Sequence, residues 1–400
     1  MQSETLIKTG SREYNKANLA LFLAGFVTFV TLYDFQPLFP SLVDEYNISP
    51  ATASLTLSCA TFSLACTLPL SGSLSDAVGR KILMSIAVVC APALTLASTM
   101  INSLHILLLM RLGQGIILAG VPAVAMAYLR DEFEPRALGS TMGLYIAGNA
   151  IGGMSGRIFT AWLTDIMSWR WALVMLSLLC LLCGIFFWVL LPASRNFRSQ
   201  PFQLSSLTGS LLNHVCNPGL LYLFLIAFAC MGGFVTLYNY ITFRLLGDDF
   251  ALTQSQAGLI FLAYAFGAFS SRIMGSLVNR YGRSHILLTS LSIMAGGLIL
   301  TLGVSLWMVA SGIVVFTIGF FGAHSVASAW VGIQAGQARA QASSLYLFSY
   351  YLGSSVSGTA GGFFYHHWNW VGIVILIVGL ILMASMACLL LARVSRDYVV

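Results

Sequence analysis

Twelve stretches of mostly apolar residues follow one another along the chain, at 19–40, 53–74, 82–100, 104–129, 139–163, 171–191, 220–245, 254–277, 286–304, 306–331, 342–365 and 370–392. Each is close to the run of about 20 residues that a helix needs to cross a bilayer core. The runs are continuous and lack the period-two alternation of a membrane-spanning strand, which excludes a β-barrel. Short polar breaks separate most of them and make successive helices antiparallel neighbours. The longest break divides the spans six and six. It predicts an N-terminal six-helix bundle over 1–191, a linker over 192–218 and a C-terminal six-helix bundle over 219–400. Within the linker, Leu204, Leu207, Leu211 and Leu212 recur at helical spacing. Such a segment either lies flat on the inner membrane surface or is a loosely ordered connection.

Composition agrees with this pattern. Of 400 residues, 58% are hydrophobic and only 8% charged, where a soluble chain carries roughly 25% charged residues. The net charge of +6 does not point to nucleic acid, because the basic residues are scattered among short loops and form no patch. Eight cysteines are spread along apolar segments. The C-x-x-C of Cys180 and Cys183 lies inside one of them, a packing position and not the exposed helix start of a redox motif. No cleavable leader is expected ahead of the first span. Lys8, Arg12, Lys16, Arg80, Lys81, Arg130, Arg136, Arg195, Arg198, Arg280, Arg283, Arg339, Arg393 and Arg396 all fall on one side, whereas Asp44, Glu45, Asp165, Asp248 and Asp249 fall on the other. The basic side is therefore expected to be cytoplasmic, with both termini there.

The chain also repeats itself. FVTLYD at 29–34 returns as FVTLYN at 234–239, and GSLSDAVGRKIL from Gly72 returns as GSLVNRYGRSHIL from Gly275. Both echoes occupy the same place within their half, in the first helix and around the end of the second. An even number of spans per half gives the copies the same orientation, so the halves are parallel repeats about an axis along the membrane normal. Such an arrangement places a binding site near the midplane, between the halves.

GSLSDAVGRK matches the loop signature of the major facilitator superfamily, G-x-x-x-D-x-x-G-R-[RK]. Arg111, Gln114 and Gly115 match its fourth-helix signature R-x-x-Q-G. GNAIGG, Gly148 to Gly153, resembles its fifth-helix antiporter signature G-P-x-x-G-G, with Asn149 in place of the proline. The chain thus resembles that superfamily over its whole length, and GNAIGGMSGR resembles the YnfM-like branch of its twelve-helix drug/proton antiporters. The resemblance implies an all-α membrane protein of twelve helices in two pseudo-symmetric six-helix bundles.

In the family the loop acid sits against the start of the eleventh helix, where a carboxylate meets the positive end of a helix dipole. The resemblance implies a latch built from Gly72, Asp76, Gly79, Arg80 and Lys81. Its two glycines are expected to form a tight turn, and Arg80 to pair with Asp131 or Glu132. Asn279 replaces the acid in the second copy, so one strong latch is expected. The small residues at every fourth position, Gly148, Gly152 and Gly156 of helix five and Ser354, Gly358 and Gly362 of helix eleven, are expected to ease sliding of five on eight and of two on eleven, while Gly148, Gly152 and Gly153 carry the fifth-helix motif.

Charges inside a membrane are expensive and are functional candidates. Counting about 1.5 Å per residue, Asp34 and Arg111 reach similar depth. Helices one and four line the cavity in this fold, so the two are expected to meet, directly or through water. Desolvation raises a carboxylate's pKa and a nearby arginine lowers it, a contest by which Asp34 can load and release a proton. A static pair that only orders helices, or a surface cap at the helix end near Pro37, are the other readings. Arg157, Arg244 and Arg272 read as interfacial anchors, and His324 as a titrating or hydrogen-bonded group. Tyr33, Tyr145, Tyr238, Asn239, Tyr264, Tyr346 and Tyr350, with Asn149, are the candidate cavity set, suited to loosely specified amphiphiles.

The sequence thus predicts a proton-coupled secondary carrier of the bacterial inner membrane, a monomer that exports small organic or drug-like molecules. Proton symport, export of a sugar or metabolite, and lipid flipping are the alternatives. The chain has no P-loop for ATP and no HExxH or GxSxG of an enzyme, and neither cofactor nor metal is expected.

Overall fold

In a computed structural model, residues 6–197, 214–336 and 339–397 are described. The linker leucines, Leu204, Leu207, Leu211 and Leu212, therefore lie outside the described residues. The helices, taken as spans, are α1 (Arg12–Tyr46), α2 (Pro50–Val78), α3 (Arg80–Ser98), α4 (Leu104–Glu132), α5 (Leu138–Ile166), α6 (Trp169–Leu190), α7 (Pro218–Leu246), α8 (Gln254–Tyr281), α9 (Arg283–Leu300) and α10 (Leu306–Gln334). A last helical stretch, Arg339–Asp397, breaks at Trp368 and Asn369, whose dihedrals leave the helical region. It supplies α11 (339–367) and α12 (370–397). Among the described residues there is no strand, only an isolated bridge between Ile7 and Phe133.

Local chemistry sets the helix starts. Ser49 caps α2 ahead of Pro50, Ser168 caps α6, and Asn217 accepts from Gly219 and Leu220 ahead of Pro218. Thr253 and Gln256 close a capping box on α8. Each satisfies backbone N–H groups that a helix start leaves unpaired, which matters most where water is scarce. The repeat is visible in the backbone: Gly79 and Gly282 both take positive φ, +110° and +81°, at the junctions after α2 and α8. Gly72 departs from expectation. It lies within α2, where an added Cβ would meet nothing, so the turn rests on Gly79 alone.

Three spans are interrupted. The α-helix of α1 stops at Tyr33, turns at Asp34 and Phe35, passes through a 3₁₀ turn at Gln36–Leu38 and resumes at Phe39–Tyr46. Pro37 lacks the N–H that would continue the ladder. The twin segment in α7 has Thr242 at the matching position and runs unbroken. In α4 the ladder is interrupted between Leu118 and Pro122, and in α8 a 3₁₀ turn spans Leu259–Leu262.

The α5 glycine face does other work than expected, whereas α11 does meet α2 as expected. A Cβ at Gly148 or Gly152 would overlap the backbone of Phe22 or Phe26, and one at Gly156 would press on Val30. This stripe seats α5 on α1 within its own half, because only a missing side chain allows two backbones so close. On α11, Gly353 abuts Phe228 and Gly361 abuts Tyr240 of α7, whereas Gly362 meets Ala51 of α2 across the halves.

The two bundles touch near their acidic ends. Asp165 at the end of α5 accepts from the backbone N–H groups of Gln254 (3.0 Å) and Ser255 (2.8 Å), which open α8. The Gln254 amide donates to Pro37 O in the break of α1. Thr61 meets Ser355 at 2.7 Å, and Thr359 donates to Ser58 at 2.8 Å. The hydrogen bonds between the halves thus lie at the acidic ends and along the packed faces of α2 and α11.

Candidate functional site

The break in α1 sends consecutive side chains to different places. Asp34 turns into its own bundle and is 1% exposed; Arg111 of α4, also 1% exposed, reaches it with Nη1–Oδ1 at 3.1 Å. The guanidinium also donates to the carbonyls of Thr31 (3.2 Å), Leu32 (2.7 Å) and Thr56 (2.6 Å), and to Gln114 Oε1. The freed carbonyls at the end of the first helical piece are thereby capped by a cation, the sign that the C-terminal dipole favours. Gln114 donates to Thr95 Oγ1 at 2.7 Å, and Thr95 donates to Asp34 Oδ2 at 3.1 Å. Four buried side chains from α1, α3 and α4 so form one closed ring of hydrogen bonds, with Phe35 stacked on the guanidinium at 4.8 Å.

The two expected partners meet, but not in the passage between the halves. Asp34 faces Val30, Thr31, Pro92, Thr95, Leu176 and Cys180 around a gap with no room for a water molecule. Nor is it a surface cap. Gln114 was legible as a motif residue; Thr95 carried no signal beyond a hydroxyl in an apolar run. Gly115, next in the motif, lets α4 approach α2, since a Cβ there would overlap Ala60 O.

Tyr33 points the other way, to the seam. The Arg157 guanidinium lies 4.0 Å from its ring centre, 5.2 Å from that of Phe261 and 5.0 Å from that of Tyr264. The reading of Arg157 as an interfacial anchor is overturned: it is 2% exposed. Its Nε donates to Gln36 Oε1 at 2.5 Å, and Gln36 Nε2 donates to Asn239 Oδ1 at 2.7 Å. The neutral twin of Asp34 thus bonds across the halves to the residue two places after it. Arg244 does fit the anchor reading, binding the α9–α10 loop at Thr301 O and Gly303 O, with Asp249 at 3.5 Å.

The other tyrosines divide. Tyr346 meets His324 Nδ1 at 3.0 Å, and Tyr350 packs on the same imidazole with ring centres 4.8 Å apart. Tyr33 and Tyr264 share the Arg157 guanidinium, and Tyr264 and Tyr350 pack on the adjoining rings of Phe321 and Phe320. Tyr238 is instead packed inside the second bundle, bonded to Thr317 at 2.8 Å and ringed by Phe234, Phe261 and Tyr264. Tyr145 is buried, and Asn149 sits against Gly25 of α1. Those three belong to helix packing rather than to the seam.

The latch is half assembled. Arg80 pairs with Asp131 at 2.6 Å and with Asp76 at 3.1 Å, and Lys81 donates to Leu191 O. Glu132 does not take Arg80; it is buried and accepts from Asn196. The Asp76 side chain is 43% exposed, and among the described residues no hydrogen bond or ion pair joins it to α11.

These features bear directly on kinship. The sequence profile of the Major Facilitator Superfamily matches residues 21–244 and 237–398. The inner membrane transport protein YnfM of Escherichia coli is 45% identical, the match covering 93% of this chain and 89% of that one. The chloramphenicol resistance protein CraA of Acinetobacter baumannii is 28% identical over 72% of this chain and 69% of its own. Among solved structures, a bacterial homolog of the human lysosomal transporter Spinster, inward-facing and unoccupied, superposes with a TM-score of 0.76 at 17% identity, covering 96% of this chain and 98% of that one. A repeated six-helix bundle, a loop motif closed by a positive-φ glycine and two family matches that together run nearly end to end lead to one conclusion: this chain is a membrane transporter of the major facilitator superfamily.

Proposed function

We propose that this transporter is a proton-coupled carrier of the bacterial cytoplasmic membrane, working as a monomer. It exports small organic or drug-like molecules in exchange for protons by alternating access. The observation that carries the reading is the Asp34–Arg111 pair at the break of α1. A carboxylate held dry against a single guanidinium is stable with its charge on, yet protonation leaves the arginine's carbonyl bonds in place. One proton can therefore be taken up without dismantling the site. The break gives the pair a lever, since Tyr33 and Gln36, on either side of it, touch the seam.

The substrate passage runs along the seam, past Tyr33, Tyr264, Tyr346 and Tyr350. With the basic side as the cytoplasmic side, the contacts that join the halves at the acidic ends belong to the inward-facing state. In the outward-open state Asp76 meets the start of α11 and the contacts of Asp165 with α8 release. The direction of transport takes support from CraA, whose name denotes resistance to chloramphenicol, and from the glycine-rich α5 motif.

The test is flux in reconstituted vesicles. An imposed pH gradient, acid on the side facing the protein's acidic end, should accelerate movement of labelled test compounds such as chloramphenicol toward that side. Counterflow with no change in lumenal pH and no response to the gradient would remove proton coupling.

A further inference from the structure

Arg157 is a buried cation that the proton-coupling account does not use. Its guanidinium is 2% exposed, and among the described residues no carboxylate lies within ion-pair distance of it. The other arginines that the spans bury do have acids, Arg111 with Asp34 and Arg244 with Asp249. Around Arg157 stand neutral acceptors, Gln36 Oε1 and Gly153 O, and the ring faces of Tyr33, Phe261 and Tyr264. Neutral acceptors and rings hold the group in place but leave its charge uncompensated, an expensive state in a dry site.

The placement is specific. Tyr33 and Gln36 come from the first half, whereas Phe261 and Tyr264 come from the interrupted α8 of the second. Gln36 is also the residue that ties the halves together through Asn239. A planar guanidinium is matched to a carboxylate, which it can grip with two parallel bonds. Rings on both sides are matched to an aromatic body attached to that carboxylate.

We propose that Arg157 is the recognition site for the anionic group of the transported compound, and that this carrier takes aromatic monocarboxylates. The carboxylate competes with Gln36 for the guanidinium. Its arrival frees Gln36 from the pair that closes the seam, so the ligand itself loosens the acidic-side closure. The inference rests on the transport reading but not on proton coupling.

The test is equilibrium binding to the purified full-length protein, with no gradient, of 1-naphthoate and its neutral isostere 1-naphthamide. Wild type should prefer the carboxylate by at least about tenfold. Arg157→Gln should bring the ratio to about one, and Arg157→Lys, which keeps the charge but loses the fork, should keep part of it. Thermal melting of each variant shows that it is folded, and Arg244→Gln, which removes a guanidinium bound to the α9–α10 loop away from the seam, should keep the preference. Equal binding of the two probes by wild type, no binding of the carboxylate, or a preference that survives in folded Arg157→Gln would each overturn the assignment.

Discussion

At the scale of single residues, the Asp34–Arg111 pair is held by geometry that invites a double-mutant test. Removing one member of a buried ion pair typically costs about 3–5 kcal/mol, because the other charge is left uncompensated. Arg111→Met should therefore melt much earlier than wild type in detergent, while Asp34→Asn combined with Arg111→Met should recover much of that loss. Recovery of stability without recovery of pH-driven flux would separate a working pair from one that only orders helices. Equal melting of wild type and both variants would show that the pair contributes nothing. The meeting of these two residues was legible from their depth together with the neighbouring of helices one and four that the family resemblance implies. The direction they face was not. Depth fixes height along a helix, whereas facing depends on rotation, and the break at Asp34 resets the rotation. Arg157 was misread for a related reason. A long basic side chain near a helix end usually reaches for water, and nothing local announces that Gln36, Tyr33 and Tyr264 surround it instead.

At the scale of helices, the interruptions and the small-residue faces decide what can move. Asp165 supplies negative charge to the two leading N–H groups of α8, an arrangement like an N-cap supplied by another bundle. Its loss in Asp165→Ala should cost the closed acidic side about 1 kcal/mol, on the scale of a lost cap. That corresponds to a population shift of roughly fivefold toward the outward-open state. Cysteines placed along α5 and α8 near the acidic ends should label faster in this variant; unchanged labelling would refute the gate. Asp76→Asn should act oppositely by weakening the latch of the outward-open state, slowing labelling at the acidic ends and speeding it at the basic ends. Gly115→Ala probes packing alone. Its Cβ meets the Ala60 carbonyl and Ser63 Oγ, and such overpacking costs about 1–3 kcal/mol, read as a lower melting temperature. An unshifted melt would mean that α2 and α4 can part freely. The helices themselves were readable within a few residues, because apolar length is a strong signal, except that α1 runs over Arg12–Tyr46 rather than 19–40, beyond its apolar run at both ends. The α11–α12 junction was readable as two runs, yet the chain turns there through two residues without a loop. The α5 stripe was assigned to the wrong neighbour, since small residues report close approach but not which helix approaches.

At the scale of the whole molecule, two repeats have diverged around one position. The first half keeps an acid, a proline and a broken helix; the second keeps an asparagine, a threonine and a continuous one. Their products meet at the seam, where Gln36 bonds to Asn239 while Asp34 is sealed behind in its own bundle. The architecture was legible because hydropathy, charge asymmetry and the internal repeat report on the membrane itself. The seam was not, because it is built from residues far apart in sequence, such as Asp165 with Gln254, whose pairing no local pattern encodes. The central claim is that one buried carboxylate couples protons to transport. It is tested most directly by comparing wild type and Asp34→Asn in sealed vesicles, with flux followed under an imposed pH gradient and in gradient-free exchange. Acceleration by the gradient in wild type, lost in Asp34→Asn while gradient-free exchange persists, is the predicted result. Full pH-driven transport by Asp34→Asn would contradict it.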